Sequence, residues 1–126
     1  MSRAVLLKAY GRGWQAGDAD AVLAVVAPDF VLEDPAIGTI PRNAFADYLK
    51  AFKIRIAALR PAGADERALM EFSEFAMAAG AGEDTAWAWW RVPSTSLEGG
   101  GLIKIGDTGI RLERLTYFAT PGGAIR

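Results

Sequence analysis

The chain has 126 residues, 52% of them hydrophobic, with four Trp, six Phe and a formal net charge of −1. It has no His and no Cys, which excludes Ser-His-Asp and Cys-His nucleophile pairs, zinc sites of the usual nitrogen and sulfur type, and a disulfide framework. Length and apolar content suit a single domain over residues 1–126, and the scattered Lys and Arg residues make neither nucleic acid nor a membrane an expected partner.

Met1-Ser2-Arg3 leads straight into an amphipathic helix pattern, and no apolar run is long enough to span a bilayer, so a soluble, cytoplasmic protein is expected. From Arg3 to Gln15, Leu6, Ala9, Tyr10, Gly13 and Trp14 recur at helical spacing. Ala16-Gly17 supplies a left-handed stop, and Asp18 caps a second helix, roughly Ala19 to Ala27, that Pro28 ends. A short strand, Phe30-Val31-Leu32-Glu33-Asp34-Pro35, follows. Pro41 then stands as the first residue of a third helix with the stripe Phe45, Leu49, Phe52, Ile56 and Leu59, stopped at Arg60-Pro61.

After a small and polar connection, Ala62 to Glu66, four strands are expected at about Arg67 to Ala79, Thr85 to Val92, Leu97 to Ile105 and Ile110 to Phe118, joined as an antiparallel meander. Helices first and sheet second argue for an α+β fold. In the first of these strands the apolar phase slips from Met70 and Phe72 to Phe75 and Met77. In the last it slips from Ile110 and Leu112 to Leu115 and Tyr117. Each slip is what a bulge would produce. The tail over 119–126 is expected to be loose.

Asp34 is the anomaly in this pattern, because period-2 alternation puts it on the apolar face with Phe30 and Leu32. A carboxyl group among hydrophobic side chains is costly as structure and useful as a general base or acid. Two readings stay open: catalysis, or a strand-end carboxylate that accepts backbone hydrogen bonds or pairs with Arg91 or Arg111. Tyr10 is read either as core or as a functional hydroxyl. Trp87 and Trp89 share one face of their strand and Trp90 the other, so both faces should be covered, one of them by a second copy of the chain. Glu33, Glu71 and Glu113 alternate with apolar residues and read as solvated or cross-strand partners.

The ordered residues Tyr10, Gly17-Asp18, Asp29 and Glu33-Asp34-Pro35, followed by a Pro/Gly turn, a long helix and four strands, resemble the nuclear transport factor 2-like superfamily. Within it the nearest likeness is to ketosteroid isomerase and the SnoaL-type polyketide cyclases, and it runs to about Phe118. The resemblance implies a cone-shaped, cystatin-like fold. It sets Tyr10 on the isomerase's oxyanion-donating tyrosine and Asp34 on its proton-shuttling aspartate. That enzyme pairs an Asp base with a Tyr and a second, protonated Asp. Gly101 stands where the second Asp would lie, and Glu98 substitutes only if the strand register differs. Nothing matches the Arg/Asp/Asp constellation of limonene epoxide hydrolase, and the cyclase pairing of a His with an Asp cannot exist without His.

The expectation is therefore one α+β domain, three N-terminal helices on a strongly curved antiparallel sheet, enclosing an apolar pocket. Asp34 would move a proton next to the carbonyl of a hydrophobic small molecule while Tyr10 hydrogen-bonds the oxyanion. Trp14, Phe30, Phe52, Met70, Phe72 and Trp87 would form the walls, no metal or organic cofactor is required, and a homodimer through the sheet is expected. The alternative is non-catalytic binding of an apolar ligand or a protein partner by the same fold.

Overall fold

Local capping sets the first corner. In this computed structural model, which describes residues 1–64 and 68–119, helix α1 (Arg3–Ala16) starts where the Ser2 side chain accepts a hydrogen bond from the Val5 N–H at 3.2 Å. It ends at Gly17, whose left-handed φ of 65° lets its N–H return to the Gly13 and Trp14 carbonyls. Asp18 then accepts from the Ala21 N–H at 3.1 Å and caps α2 (Ala19–Leu23). The expected tight corner is present. The second helix is shorter than expected, because strand β1 (Val26–Asp34) begins before Pro28 rather than after it. A strand tolerates a residue without an N–H where its ladder is interrupted, and the register of β1 shifts between Val26 and Val31.

Strand β2 (Gly38–Pro41) folds back on β1, pairing Asp34 with Gly38 and Val31 with Pro41. It was not foreseen, since Gly and Pro are half of its residues and both are depleted in strands. Pro41 therefore closes β2 and precedes a 3-10 turn (Arg42–Ala44), and α3 (Phe45–Leu59) starts after that turn.

Strands β3 (Glu71–Ala78), β4 (Glu83–Arg91), β5 (Glu98–Gly106) and β6 (Gly109–Ala119) form the antiparallel meander. The sheet order is β2-β1-β6-β5-β4-β3. The α+β architecture with helices against one sheet is as expected, and the sheet itself needs two corrections. It is mixed, because β1 runs parallel to β6; no hairpin joins these two strands, so nothing forces them antiparallel. It is also open, with β2 and β3 as its edges. Residue 67 of the expected first long strand and residues 120–126 of the expected tail lie outside the described residues.

Both expected bulges exist, one of them displaced. In β3 the register shifts between Phe72 and Glu74. In β6 it shifts where Lys104 faces Leu112 and Ile105 faces Ile110, which leaves Arg111 as the extra residue. The side-chain phase thus reverses at Arg111, before Glu113 is reached. Ile110, Glu113 and Leu115 join Phe30, Leu32 and Asp34 of β1 and Ile103 and Ile105 of β5 in the buried layer. Leu6, Leu7, Tyr10 and Trp14 of α1 and Phe45, Leu49, Phe52 and Ile56 of α3 complete this layer, which forms one hydrophobic cluster.

Candidate active site

Two buried carboxyl groups project into this core from parallel neighbours, Asp34 from β1 and Glu113 from β6, and each is held by tyrosine. Asp34 is 2% exposed. Its Oδ1 accepts from the Ala36 N–H at 2.8 Å, and its Oδ2 accepts from the hydroxyls of Tyr48 at 2.6 Å and Tyr117 at 2.9 Å. An acceptor-only carboxylate suits three converging donors. Burial, and after it the facing groups, push both tyrosine hydroxyls well above their usual range; for Tyr117 the leading neighbour is Asp34.

Glu113 is 3% exposed, and its Oε1 accepts a 2.5 Å hydrogen bond from the Tyr10 hydroxyl. Desolvation raises its pKa to about 7, against the downward pull of the Tyr10 hydrogen bond. Burial and the Glu113 charge push Tyr10 far upward, while the neighbouring Trp14 indole acts the other way. A carboxyl group poised near neutrality can give and take a proton at physiological pH.

Between the two clusters lies a cavity of about 10 Å³, room for about one water molecule. Trp14, Tyr48, Phe52, Met70, Phe72, Trp90, Glu113, Leu115 and Tyr117 form its wall. It is much tighter than the expected apolar pocket. Larger hollows are superficial: one of about 600 Å³ beside α2 and α3 carries Asp18, Asp20, Lys50 and Lys53, with neither carboxyl–tyrosine cluster in reach.

Of the residues singled out in the sequence, Trp14, Phe52, Met70 and Phe72 line this cavity. Phe30 is not in its wall; it is buried behind Tyr10, edge-on at 6.2 Å, and against Phe45. Trp87 does not line the cavity either. It lies on the outer face of β4, its ring across Gly100 and edge-on to Trp89, and Trp90 of the inner face takes its place. Asp34 and Tyr10 both point inward, yet they serve different clusters: Tyr10 bonds Glu113, and Asp34 bonds Tyr48 and Tyr117. The Arg alternatives for Asp34 are overturned, since Arg91 pairs with Glu71 and Arg111 with Glu83.

Glu113 was read as solvated or as a cross-strand partner, and its burial against Tyr10 of α1 corrects that reading; Glu33 is a surface partner as expected, 2.7 Å from Arg114. Glu98 is exposed at the start of β5 and supplies nothing to the site. Gly101 has its counterpart in Glu113, whose carboxyl fills the space a side chain at 101 would need. The glycine run clears room on both faces, for Trp90 at Gly99, for Trp87 at Gly100 and for Glu113 at Gly101. None of these three has a positive φ.

Solved structures share this architecture at low identity. A candidate scytalone dehydratase from Novosphingobium aromaticivorans superposes with a TM-score of 0.65 at 14% identity, covering 98% of this chain and 86% of that one. A candidate polyketide cyclase from Xanthomonas campestris pv. campestris gives 0.59 at 20% identity, covering 90% and 87%. A nuclear transport factor 2-like protein of unknown function from Cytophaga hutchinsonii gives 0.63 at 8% identity, covering 93% and 90%. No curated protein matches the sequence. Residues 7–126 match the SnoaL-like domain, and the chain belongs to that family.

Proposed function

We propose that the protein is an isomerase or cyclase that moves a proton on a small hydrophobic carbonyl compound without a cofactor, with Glu113 in the part that the sequence alone gives to Asp34. The observation that carries this reading is a buried carboxyl with a pKa of about 7 in a cavity wall, held by a single tyrosine hydroxyl. As a carboxylate, Glu113 takes a proton from the carbon next to the carbonyl, and the C–H electron pair moves into the C=O to give an enolate. In a β,γ-unsaturated ketone the same carboxyl then returns that proton to the γ-carbon and the double bond moves into conjugation with the C=O, so nothing is oxidised or reduced. Tyr10 holds Glu113 in place and stabilises its ionised form. Asp34 fixes the two tyrosine hydroxyls across the cavity. A ligand larger than water requires the cavity to widen, and Phe72, next to the β3 bulge, and Tyr117 are partly exposed wall residues with room to yield. The half-buried Trp87 and Trp89 of the outer face support a second copy covering that face; sedimentation as a monomer at micromolar concentration would remove the dimer from the proposal.

The test is exchange of the benzylic α-protons of 2-tetralone in D2O, followed by NMR. The protein should exceed the buffer rate, Glu113→Gln should lose about a hundredfold or more of that excess, and Asp34→Asn should lose much less. Exchange no faster than buffer, or unaffected by Glu113→Gln, would overturn the assignment. The second reading is non-catalytic, favoured by the mutual satisfaction of Tyr10 and Glu113 and the tightness of the cavity. On that reading 2-tetralone binds without exchange.

A further inference from the structure

Two tryptophans of the cavity wall carry indole N–H groups that complete no hydrogen bond within the protein. Among the described residues, the buried side-chain polar atoms without a hydrogen-bond partner are the indole nitrogens of Trp14 and Trp90. Both residues are 3% exposed, and both line the cavity with Glu113. Protein interiors rarely leave a buried N–H unmatched, and two on residues that share one small cavity leave room for an acceptor from outside the chain. The Trp14 nitrogen is close enough to Tyr10 to act on its hydroxyl, but completes no hydrogen bond to it. Neither ring is free to turn toward solvent. Trp14 is wedged edge-on among Tyr10, Phe45 and Phe52, and Trp90 stands at 90° to Tyr117, with its ring over Gly99. Donors fixed in this way stabilise developing negative charge without having to reorient.

The available room selects the acceptor. The cavity admits one oxygen-sized atom, while an adjoining hollow of about 320 Å³ between Pro35, Ala36, Thr116, Leu115 and Tyr117 is large enough for one or two rings. Leu115 and Tyr117 belong to both walls. A ligand bedded in the hollow faces the indoles across Leu115 and Tyr117, and reaches them with an atom at its edge.

We propose that the indole N–H groups of Trp14 and Trp90 form an oxygen-binding subsite that takes the carbonyl oxygen of a small ring ketone whose apolar body lies in the adjoining hollow. The choice of a ketone rests on the proton-transfer reading above; the subsite itself rests on the two unmatched donors. The enolate oxygen formed when Glu113 removes the proton would then meet two N–H donors, in the role that a Tyr and a protonated Asp fill in ketosteroid isomerase.

Indole-15N-labelled protein titrated with 2-tetralone, and separately with the hydrocarbon tetralin, tests this directly. The ketone should bind about tenfold more tightly than tetralin and move the Trp14 and Trp90 indole N–H resonances downfield, leaving those of the outer-face Trp87 and Trp89 in place. Trp90→Phe should reduce the preference for the ketone to within about threefold. The subsite is wrong if the ketone moves neither resonance, whether or not it binds, or if tetralin moves both equally; these wild-type spectra decide even if Trp90→Phe fails to fold. Exchange measured on the wild-type protein beside Glu113→Gln separates the two proposals. Indole shifts in a wild-type protein that exchanges α-protons no faster than buffer retain the subsite and reject proton transfer, and Glu113-dependent exchange with stationary indoles does the reverse.

Discussion

The Glu113 carboxyl and a Cβ at Gly101 would compete for the same space: Glu113 of β6 reaches diagonally over the Cα of Gly101 on β5. One strand carries the acid because its neighbour carries no side chain there. Gly101→Ala should push the carboxyl off Tyr10 and destabilise the protein by about 1–3 kcal/mol, the usual range for a broken buried hydrogen bond or an overpacked core. In a Glu113→Ala background the same methyl group enters vacated space, so adding Gly101→Ala should change stability by less than about 0.5 kcal/mol. Urea denaturation of the four proteins measures this coupling, and additive losses would contradict the steric account.

The buried acid also sets a direction for stability against pH. Glu113 has a pKa of about 7 in the folded protein against a reference value of 4.5. Between these values the folded state holds a proton that the unfolded state has released. Stability from this group is therefore greatest below pH 4.5 and falls as pH rises, until by about pH 7 roughly 3 kcal/mol is lost. Glu33, Glu83 and Asp84, whose pKa values are lowered, give the opposite slope at more acidic pH. They are common to wild type and Glu113→Gln, so the difference between the two isolates Glu113. The Gln variant should gain on wild type steadily from pH 4.5 to 7, as read by urea midpoints in matched buffers. Parallel profiles would mean that Glu113 titrates at its ordinary value.

Asp34 accepts from three donors, and losing one should leave the other two in place. Tyr48→Phe should cost about 1–3 kcal/mol because it withdraws a charge-assisted hydrogen bond from a buried carboxylate. In an Asp34→Asn background the same change should cost clearly less, since the charge that strengthened the bond is gone. Equal costs in the two backgrounds would show that the Tyr48 hydroxyl is held by something other than Asp34.

Much of this arrangement was legible in the sequence where local rules decide. Gly17-Asp18, the α3 stripe and the inward phase of Asp34 each follow from capping or periodicity within one segment. Glu113 was missed because its face depends on where a bulge falls. Its parity matches Leu115 and Tyr117, so setting the slip at Arg111 turns it inward, whereas setting the slip after it turns it outward. Tyr48 carried a signal as well, three residues after Phe45 and four before Phe52 on the α3 stripe. The parallel pairing of β1 with β6 left no local trace, since it joins segments from opposite ends of the chain. The partnership of Glu113 with Gly101 is a diagonal contact across two strands, and it becomes readable only once the register is known.

Two glycines two residues apart in α1 separate local propensity from tertiary packing. A Cβ at Gly11 would rest 3.4 Å from the Phe75 ring, an ordinary contact, while a Cβ at Gly13 would come within 2.7 Å of Val22 Cγ2 and 3.0 Å of the Val22 backbone nitrogen. Both positions are helical, so Ala is intrinsically favoured at each by up to about 1 kcal/mol. Gly11→Ala should keep that gain and raise the melting temperature. Gly13→Ala should reverse it, because the α1–α2 corner must open to admit the methyl group, and overpacking of this kind costs about 1–3 kcal/mol. Thermal denaturation of the two variants beside wild type would show shifts of opposite sign; a rise in both would mean that the corner yields without strain.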